Sequence, residues 1–251
     1  MSSKVDPAIL KALSLDPSSA TISKHGGGGF AKTFRISGEH ASLNAIHSIV
    51  PSLCPQSYAH GPLECGEGFF LATDFLDLNP RDAKSTPGYE QPQFGFTVTT
   101  CCGETKQDNS FKGSWAEFYG DNRLRGIVKE AERNNGKNGE LRKLVEEVVE
   151  VVVPRLLGDG NLRGSDGQKI KPVVVHGDLW SGNHGTGRIG EGGVEEVVYD
   201  SSASWSHAEF EAGIMRMFGG FGSAFWREYH EVRPKDEPRE EWEDRCLLYE
   251  L

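Results

Sequence analysis

The strongest constraint on this chain is the run His176-Gly177-Asp178-Leu179-Trp180-Ser181-Gly182-Asn183, which lies between two Val-rich stretches and is followed by Tyr199-Asp200. Val173, Val174 and Val175 are β-branched and follow Pro172, which predicts a short buried strand delivering residues 176–183 into a loop at its C-terminal end. The glycine-rich segment from Gly185 to Gly193 suits a chain reversal, and Val194, Val197 and Val198 predict a second strand. The reversal then makes a hairpin, and Asp200 emerges beside Asp178. Two carboxylates and one amide converge from a single supersecondary unit. That set is what phosphoryl transfer requires: Asp178 to accept the proton of an attacking hydroxyl, Asn183 and Asp200 to hold magnesium against nucleotide phosphates. Asp and Asn also favour turns, because their side chains bond nearby backbone. The order strand, loop, hairpin, acid is what favours the chemical reading. His176 receives an orienting role in this loop.

A length of 251 residues with 37% hydrophobic content sustains a real core in one domain or two unequal lobes. The formal net charge of −10, with no long basic cluster, argues against nucleic acid or an anionic membrane surface as the main partner. A nucleotide stays compatible, since magnesium and backbone amides can neutralise its phosphates locally. Residues 1–16 lack the charged and apolar blocks of a secretion signal, and no apolar run is long enough to span a bilayer, so a cytosolic protein is expected. Cys54, Cys65, Cys101, Cys102 and Cys246 are odd in number and lack paired metal spacing, which predicts reduced thiols.

Along the chain, residues 7–15 predict a short helix. Gly26 to Gly29 lead into an alternating segment, residues 30–36, and Gly27, Gly28 and Gly29 are a candidate nucleotide-covering loop between two strands, since glycine lets backbone N–H groups approach phosphate. Residues 39–50 predict a helix with Leu43, Ile46 and Val50 on one face and Ser37 or Gly38 as cap. Residues 69–78 read as an apolar strand running into acidic positions, and residues 79–113 as ordered loop. Helices are expected over 115–132 and 140–157, the second with a core stripe of Leu141, Leu144, Val148 and Val152. Ile214, Met215, Met217 and Phe218, then Phe225, Trp226 and Tyr229, predict two helices that are mostly buried, with an aromatic wall for a sugar ring as the alternative. Trp242, Cys246 and Tyr249 share a last helical face, and that helix is expected to be cut off where the sequence stops.

Several of these segments together resemble the fructosamine-3-kinase and ketosamine-3-kinase family. They are His176 to Asn183, Met217-Phe218-Gly219-Gly220-Phe221, Phe94-Gly95-Phe96 with Thr100-Cys101-Cys102-Gly103, and Gln107-Asp108-Asn109. That family is similar to aminoglycoside and choline kinases. The resemblance implies an α+β, two-lobed protein-kinase-like fold with a small β-rich N-terminal lobe (residues 1–76, nucleotide-binding) and a larger, mainly helical C-terminal lobe (residues 77–251, catalytic and substrate-binding). It implies ATP and Mg2+, with Asp178 as catalytic base and Asn183 and Asp200 as metal ligands. Glu39 would be the helix acid that pairs with a nucleotide-binding Lys, and Asp74, Phe75 and Leu76 the adenine-contacting hinge. His176 and Trp180 are substrate-side candidates. The implied acceptors are ketosamines, as small molecules or as glycated lysines on proteins, phosphorylated on the 3-hydroxyl so that the product decomposes and frees the amine.

Gly177 supports a small acceptor independently. Protein kinases carry Arg before the catalytic Asp, whereas here Gly removes that cation, and Ser201-Ser202 follow Asp200 in place of Phe-Gly. The sequence departs from the family in two places. Only Ser37 and Gly38 stand between Ile36 and Glu39, where the family carries a strand with its phosphate-binding Lys; Lys24 and Lys32 are the nearby cations, Lys32 the better substitute. The family also continues past the last helix. A small lobe missing one strand and a truncated C-terminus are therefore expected. A catalytically impaired kinase-like binding protein or a truncated gene product is the alternative function. A third class is a metal hydrolase using His176, Asp178, His184 and His207.

Overall fold

The computed structural model describes residues 5–21, 33–64, 66, 68–77, 92–189 and 192–251. Lys24, Lys32, Cys65 and the candidate loop Gly27, Gly28 and Gly29 lie outside the described residues. The fold mixes helices with small antiparallel sheets.

Helix α1 (Pro7–Ala12) starts where the Asp6 carboxylate accepts the Ala8 amide at 2.8 Å, with proline in its first turn. It stops short of residue 15 because Ser14 turns left-handed at φ 54°. Helix α2 (Thr33–His47) corrects two expectations. Residues 33–36 are helical where an alternating strand was expected, and Ser37 and Gly38 are internal to the helix, so neither caps it. Ile36, Leu43 and Ile46 are buried together, and the spacing that suggested a strand end belongs to one helical face. Val50 falls beyond the helix end.

Strands β1 (Ser57–Pro62) and β2 (Phe69–Thr73) form an antiparallel ladder. The chain breaks at Asp74 and Phe75 before β3 (Leu76–Asp77), so the expected single strand over 69–78 is two strands in two sheets. Within the expected loop region, β4 (Thr100–Cys102) and β5 (Thr105–Gln107) make a hairpin. Helix α3 (Trp115–Glu117), capped by the Ser114 hydroxyl, continues through a π-helical stretch, Phe118–Arg125, into α4 (Gly126–Asn135). Asn138 caps α5 (Gly139–Glu147), which continues through π-helical Val148–Val152 into α6 (Val153–Leu157). Leu141 and Leu144 are 40% and 54% exposed, against expectation. The buried stripe starts one turn later, at Val145, and runs through Val148, Val149 and Val152 to Leu156; the widened π turns shift the phase that a 3.6-residue period assumes.

The Val-rich segments pair differently from the simple hairpin. Strand β6 (Val173–Val175) pairs with β9 (Ser204–Ser206), while the glycine-rich segment itself supplies β7 (His184–Ile189), which forms the hairpin with β8 (Val194–Val198). Strand β3 adds to the outer edge of β7. A single 3-10 turn, Ala208–Phe210, leads into α7 (Glu211–Phe218), then α8 (Ser223–Val232) and, after Arg239–Glu241, α9 (Trp242–Tyr249). Met217 and Phe218 are 51% and 59% exposed, so this region is not mostly buried.

Three hydrophobic clusters among the described residues hold these elements, the smallest joining Ala212 to Trp242 and Cys246. Leu43, Ile46, Cys54, Phe96, Val198, Ala203 and Trp205 fasten α2 to β6 and β9. Trp115 centres the second, its ring 5.5–6.0 Å from those of Phe94, Phe118, Tyr119, Phe210 and Tyr249, and its Nε1 donates to Tyr249 Oη at 2.8 Å. Each such ring pair adds about 0.5–1.5 kcal/mol beyond the area it buries. No helix among the described residues is long and apolar enough to cross a membrane.

Candidate active site

Residues 176–183 leave the end of β6 as a loop whose shape is dictated by its neighbours. Gly177 has φ 79°, and a Cβ there would collide with the Ser202 carbonyl oxygen, so both conformation and space require glycine. Gly220, at φ 98° after α7, lets the chain pass directly against Ser181. The loop is further closed by its own bonds. Asn183 Nδ2 donates to the Asp178 carbonyl at 2.8 Å, and the Asn183 amide donates to the Trp180 carbonyl at 2.9 Å. Tyr199 ties the second acidic segment to the first: its amide donates to the Asn183 carbonyl at 3.1 Å, and His176 Nε2 donates to its carbonyl at 2.9 Å.

Three clefts adjoin the loop around Asp178, and a fourth, of about 380 Å³, is lined by His176 and Leu179. A cleft of about 660 Å³ is lined by Glu39 of α2, by Asp74, Phe75 and Leu76, and by Tyr199 and Asp200. A narrow cleft of about 20 Å³, room for one water-sized occupant, holds Glu39, Cys101, Asp178, Asp200 and Ser201. Beyond Asp178 lies a third, of about 290 Å³, which Gly177, Cys102 and Glu211 line on the loop side. Glu39 and Asp200 are common to the first two. Asp200 sits at φ 56°, in the left-handed region that non-glycine residues enter at a cost of about 1–2 kcal/mol. Such conformations persist where surroundings over-determine them, and here Tyr199 on one side and the Ser202–His176 bond of 2.8 Å on the other do so.

The donor set suits a hard divalent cation. The Asp200 carboxylate lines the narrow cleft, whereas Asn183 is buried and lines none of the three clefts; its amide nitrogen is committed to the Asp178 carbonyl, which leaves its oxygen for a ligand. Amide and carboxylate oxygens are what magnesium takes. The larger cleft falls in the range of roughly 300–1,000 Å³ typical of ligand sites. Asp74 lines it with its carboxylate already bound by Tyr58 Oη at 2.5 Å and the Gln56 amide at 3.0 Å.

A family model described as fructosamine kinase matches residues 30–251. The chain belongs to this family. It is 33% identical to the ketosamine-3-kinase of Mus musculus over 159 residues, 63% of this chain and 46% of the mouse protein. It is 28% identical to the chloroplastic protein-ribulosamine 3-kinase of Arabidopsis thaliana over 237 residues, 88% of this chain and 68% of that protein. The chain thus spans between about half and two thirds of these two relatives. A crystal structure of a candidate fructosamine-3-kinase from Haemophilus somnus 129PT has the same fold, with a TM-score of 0.64 at 19% identity, covering 87% of this chain and 70% of that one.

Within this fructosamine kinase fold, the two substrate-side candidates sit in different surroundings. His176 is buried, and both ring nitrogens are occupied: Nε2 by the Tyr199 carbonyl and Nδ1 by the Asp178 amide at 3.3 Å. Burial pushes its imidazolium down to about 4, so the ring is neutral near pH 7 and orients the loop. It lines none of these three clefts but lines the fourth, of about 380 Å³, together with Leu179 and Glu211, and its place among the substrate candidates stays a proposal. Trp180 is 37% exposed, its ring 5.7 Å from that of Phe218, which lines the third cleft. The hydrolase quartet does not assemble among the described residues. His184 stacks on Phe221 at 5.0 Å, and His207 belongs to a separate buried cluster with Glu209 and Asp236.

Two residues that contact the candidate site loop escaped sequence reasoning. Glu211, at the start of α7, accepts the amides of His176 (2.6 Å), Gly177 (3.1 Å) and Leu179 (3.3 Å) and so holds the loop from beneath. Burial lifts its carboxyl to about 7 against the pull of those amides, and the charge of Asp178 adds to the lift. The available signal was an acid at the i position of the apolar face carrying Ile214, Met215 and Phe218. Cys102 Sγ donates to Asp178 Oδ1 at 3.5 Å. Burial first, then the neighbouring Asp178 charge, pushes that thiol up to about 12, so it is a hydrogen-bond donor and not a nucleophile.

Proposed function

We propose that this chain transfers the γ-phosphoryl group of ATP to the 3-hydroxyl of ketosamines, fructosamine-type small molecules or glycated lysines on proteins, and so serves deglycation. The observation that carries the reading is the set of clefts: one nucleotide-sized, one cation-sized and one acceptor-sized, with Asp178 between the last two. The names of the mouse and Arabidopsis relatives agree with it. In this reading Asp178 accepts the hydroxyl proton as the new P–O ester bond forms and the bond to the ADP leaving group breaks. Asn183 and Asp200 would hold Mg2+, whose charge there offsets that of the phosphates. Phe75 and Leu76, with the backbone of Asp74, would contact the adenine, and Glu39 closes the phosphate end of the cleft. Residues 1–76 form the nucleotide side, 77–251 the acceptor side, and the cytosol is the compartment assigned.

Purified protein, ATP, Mg2+ and a synthetic fructosamine, followed by ADP release, test the proposal. Turnover is expected, with a loss of about 10²–10⁴ in Asp178→Asn, the range for a general base. Undiminished turnover in that variant refutes the assignment of the base. Nucleotide binding without turnover is the signature of the impaired binding protein.

A further inference from the structure

We infer that the cavity of about 290 Å³ beyond Asp178 receives the substituent on the acceptor's amine, and that it selects uncharged apolar substituents over cationic ones. This rests on the ketosamine reading above. The cavity is joined to the candidate base: Gly177 precedes Asp178, and Cys102 in the same wall donates to its carboxylate at 3.5 Å. An acceptor hydroxyl at Asp178 therefore leaves the remainder of its molecule beside this space. The opposite wall is aliphatic and aromatic, from Leu124, Ile127, Ile214, Met217 and Phe218. Ile127, Met217 and Phe218 keep 40%, 51% and 59% of their surface exposed, apolar area that a substituent of matching chemistry would cover.

The charges in the wall set the sign of the selection. Arg123 is its one cation among the described lining residues, fully enclosed, with Nη1 donating to the Asp108 carbonyl at 2.8 Å and Nη2 to Asn109 Oδ1 at 2.9 Å. Both partners are uncharged, and its Nε is buried with no partner among the described residues. Burial lowers the guanidinium only to about 10, so it stays charged at neutral pH. Glu211, the one acid of the lining, spends its oxygens on three loop amides and offers no ready partner to an incoming cation. A positive substituent would thus enter low-dielectric space beside the Arg123 charge, which the Asp108 charge and the face of the Phe118 ring, 4.5 Å away, offset only in part.

The test is titration calorimetry, which needs no turnover, with 1-amino-1-deoxyfructose derivatives bearing N-methyl, N-hexyl or N-(5-aminopentyl) groups. Burial of a few methylenes, each roughly fourfold in affinity, is expected to tighten N-hexyl over N-methyl by tenfold or more. The N-(5-aminopentyl) compound is expected to lose that gain. Ile214→Trp, which fills the cavity, should abolish the dependence on chain length. Ile127→Glu, on a partly exposed helix position that tolerates charge, should tighten the aminopentyl compound threefold or more while weakening the hexyl one. Equal affinities across the series, or a cationic preference in the wild type, overturn the assignment. Chain-length-dependent binding with no ADP release from any of the three refutes the kinase reading and leaves the cavity assignment standing.

Discussion

Glu209 and Glu211 stand two residues apart at the start of the same helical segment, and both are buried, yet they are held in opposite ways. Glu209 meets the Arg245 guanidinium at 2.7 and 3.2 Å and accepts the Asp236 amide at 2.7 Å. Around it, His207 Nε2 lies 2.7 Å from Asp236 and Arg233 donates twice to the same carboxylate. Burial pushes Asp236 up, but the bonds from His207 and Arg233 outweigh it and hold that carboxyl well below its ordinary value. Charge is matched by charge, and every ligating atom of the apparent metal cluster is already spoken for. Glu211 has only neutral amides for partners, and its carboxyl rises to about 7. A carboxylate locked to guanidinium joins α9 to the body of the molecule; a carboxyl bound by amides shapes a reactive loop and stays titratable.

Breaking the charged half should cost most. Arg245→Ala leaves Glu209 buried without its counter-charge and is expected to lose about 3–5 kcal/mol in chemical denaturation; a loss below 1 kcal/mol would erase the distinction. On the other side, Gly177→Ala drives a methyl group into Ser202 and adds left-handed strain, for a loss of about 2–4 kcal/mol together with turnover. The titration of Glu211 sharpens the contrast. Its folded value of about 7 lies above the ordinary 4.5, so its contribution is full below about pH 4.5 and is lost as pH rises through about 7. That amounts to about 3 kcal/mol at most. Melting wild type and Glu211→Gln in parallel from pH 5 to 8 should show the wild type losing ground relative to the variant, and parallel curves would mean the carboxyl is not lifted. Leu144→Gln, outside both regions and half exposed, should change stability by less than about 0.5 kcal/mol.

Much of the site was legible because short-range chemistry wrote it. The strand before His176, the acid after the second Val run and the five-residue offset of Asp178 from Asn183 are local features, and they predicted which residues meet. The pairing of the strands was not legible: β7 was hidden in a glycine-rich segment whose period-2 alternation is erased by residues without side chains. Residues 33–36 misled because a short apolar alternation also fits one helical face, and periodicity over so few residues does not decide between the two. Leu141 and Leu144 misled for another reason, a change of helical pitch downstream that no composition signals. Glu211 was invisible because its partners are backbone amides, which every sequence contains.

The sheet ordered β3, β7, β8 has one more consequence. Leu76 pairs with Ile189, and His184 pairs with Val198, so the strand that holds Leu76 and the segments next to Asn183 and Asp200 belong to one ladder. In the proposed reading, the span from the adenine contact to the metal ligands is thereby a dimension of the sheet itself, a fixed gauge length. A nucleotide bound as proposed must match that length.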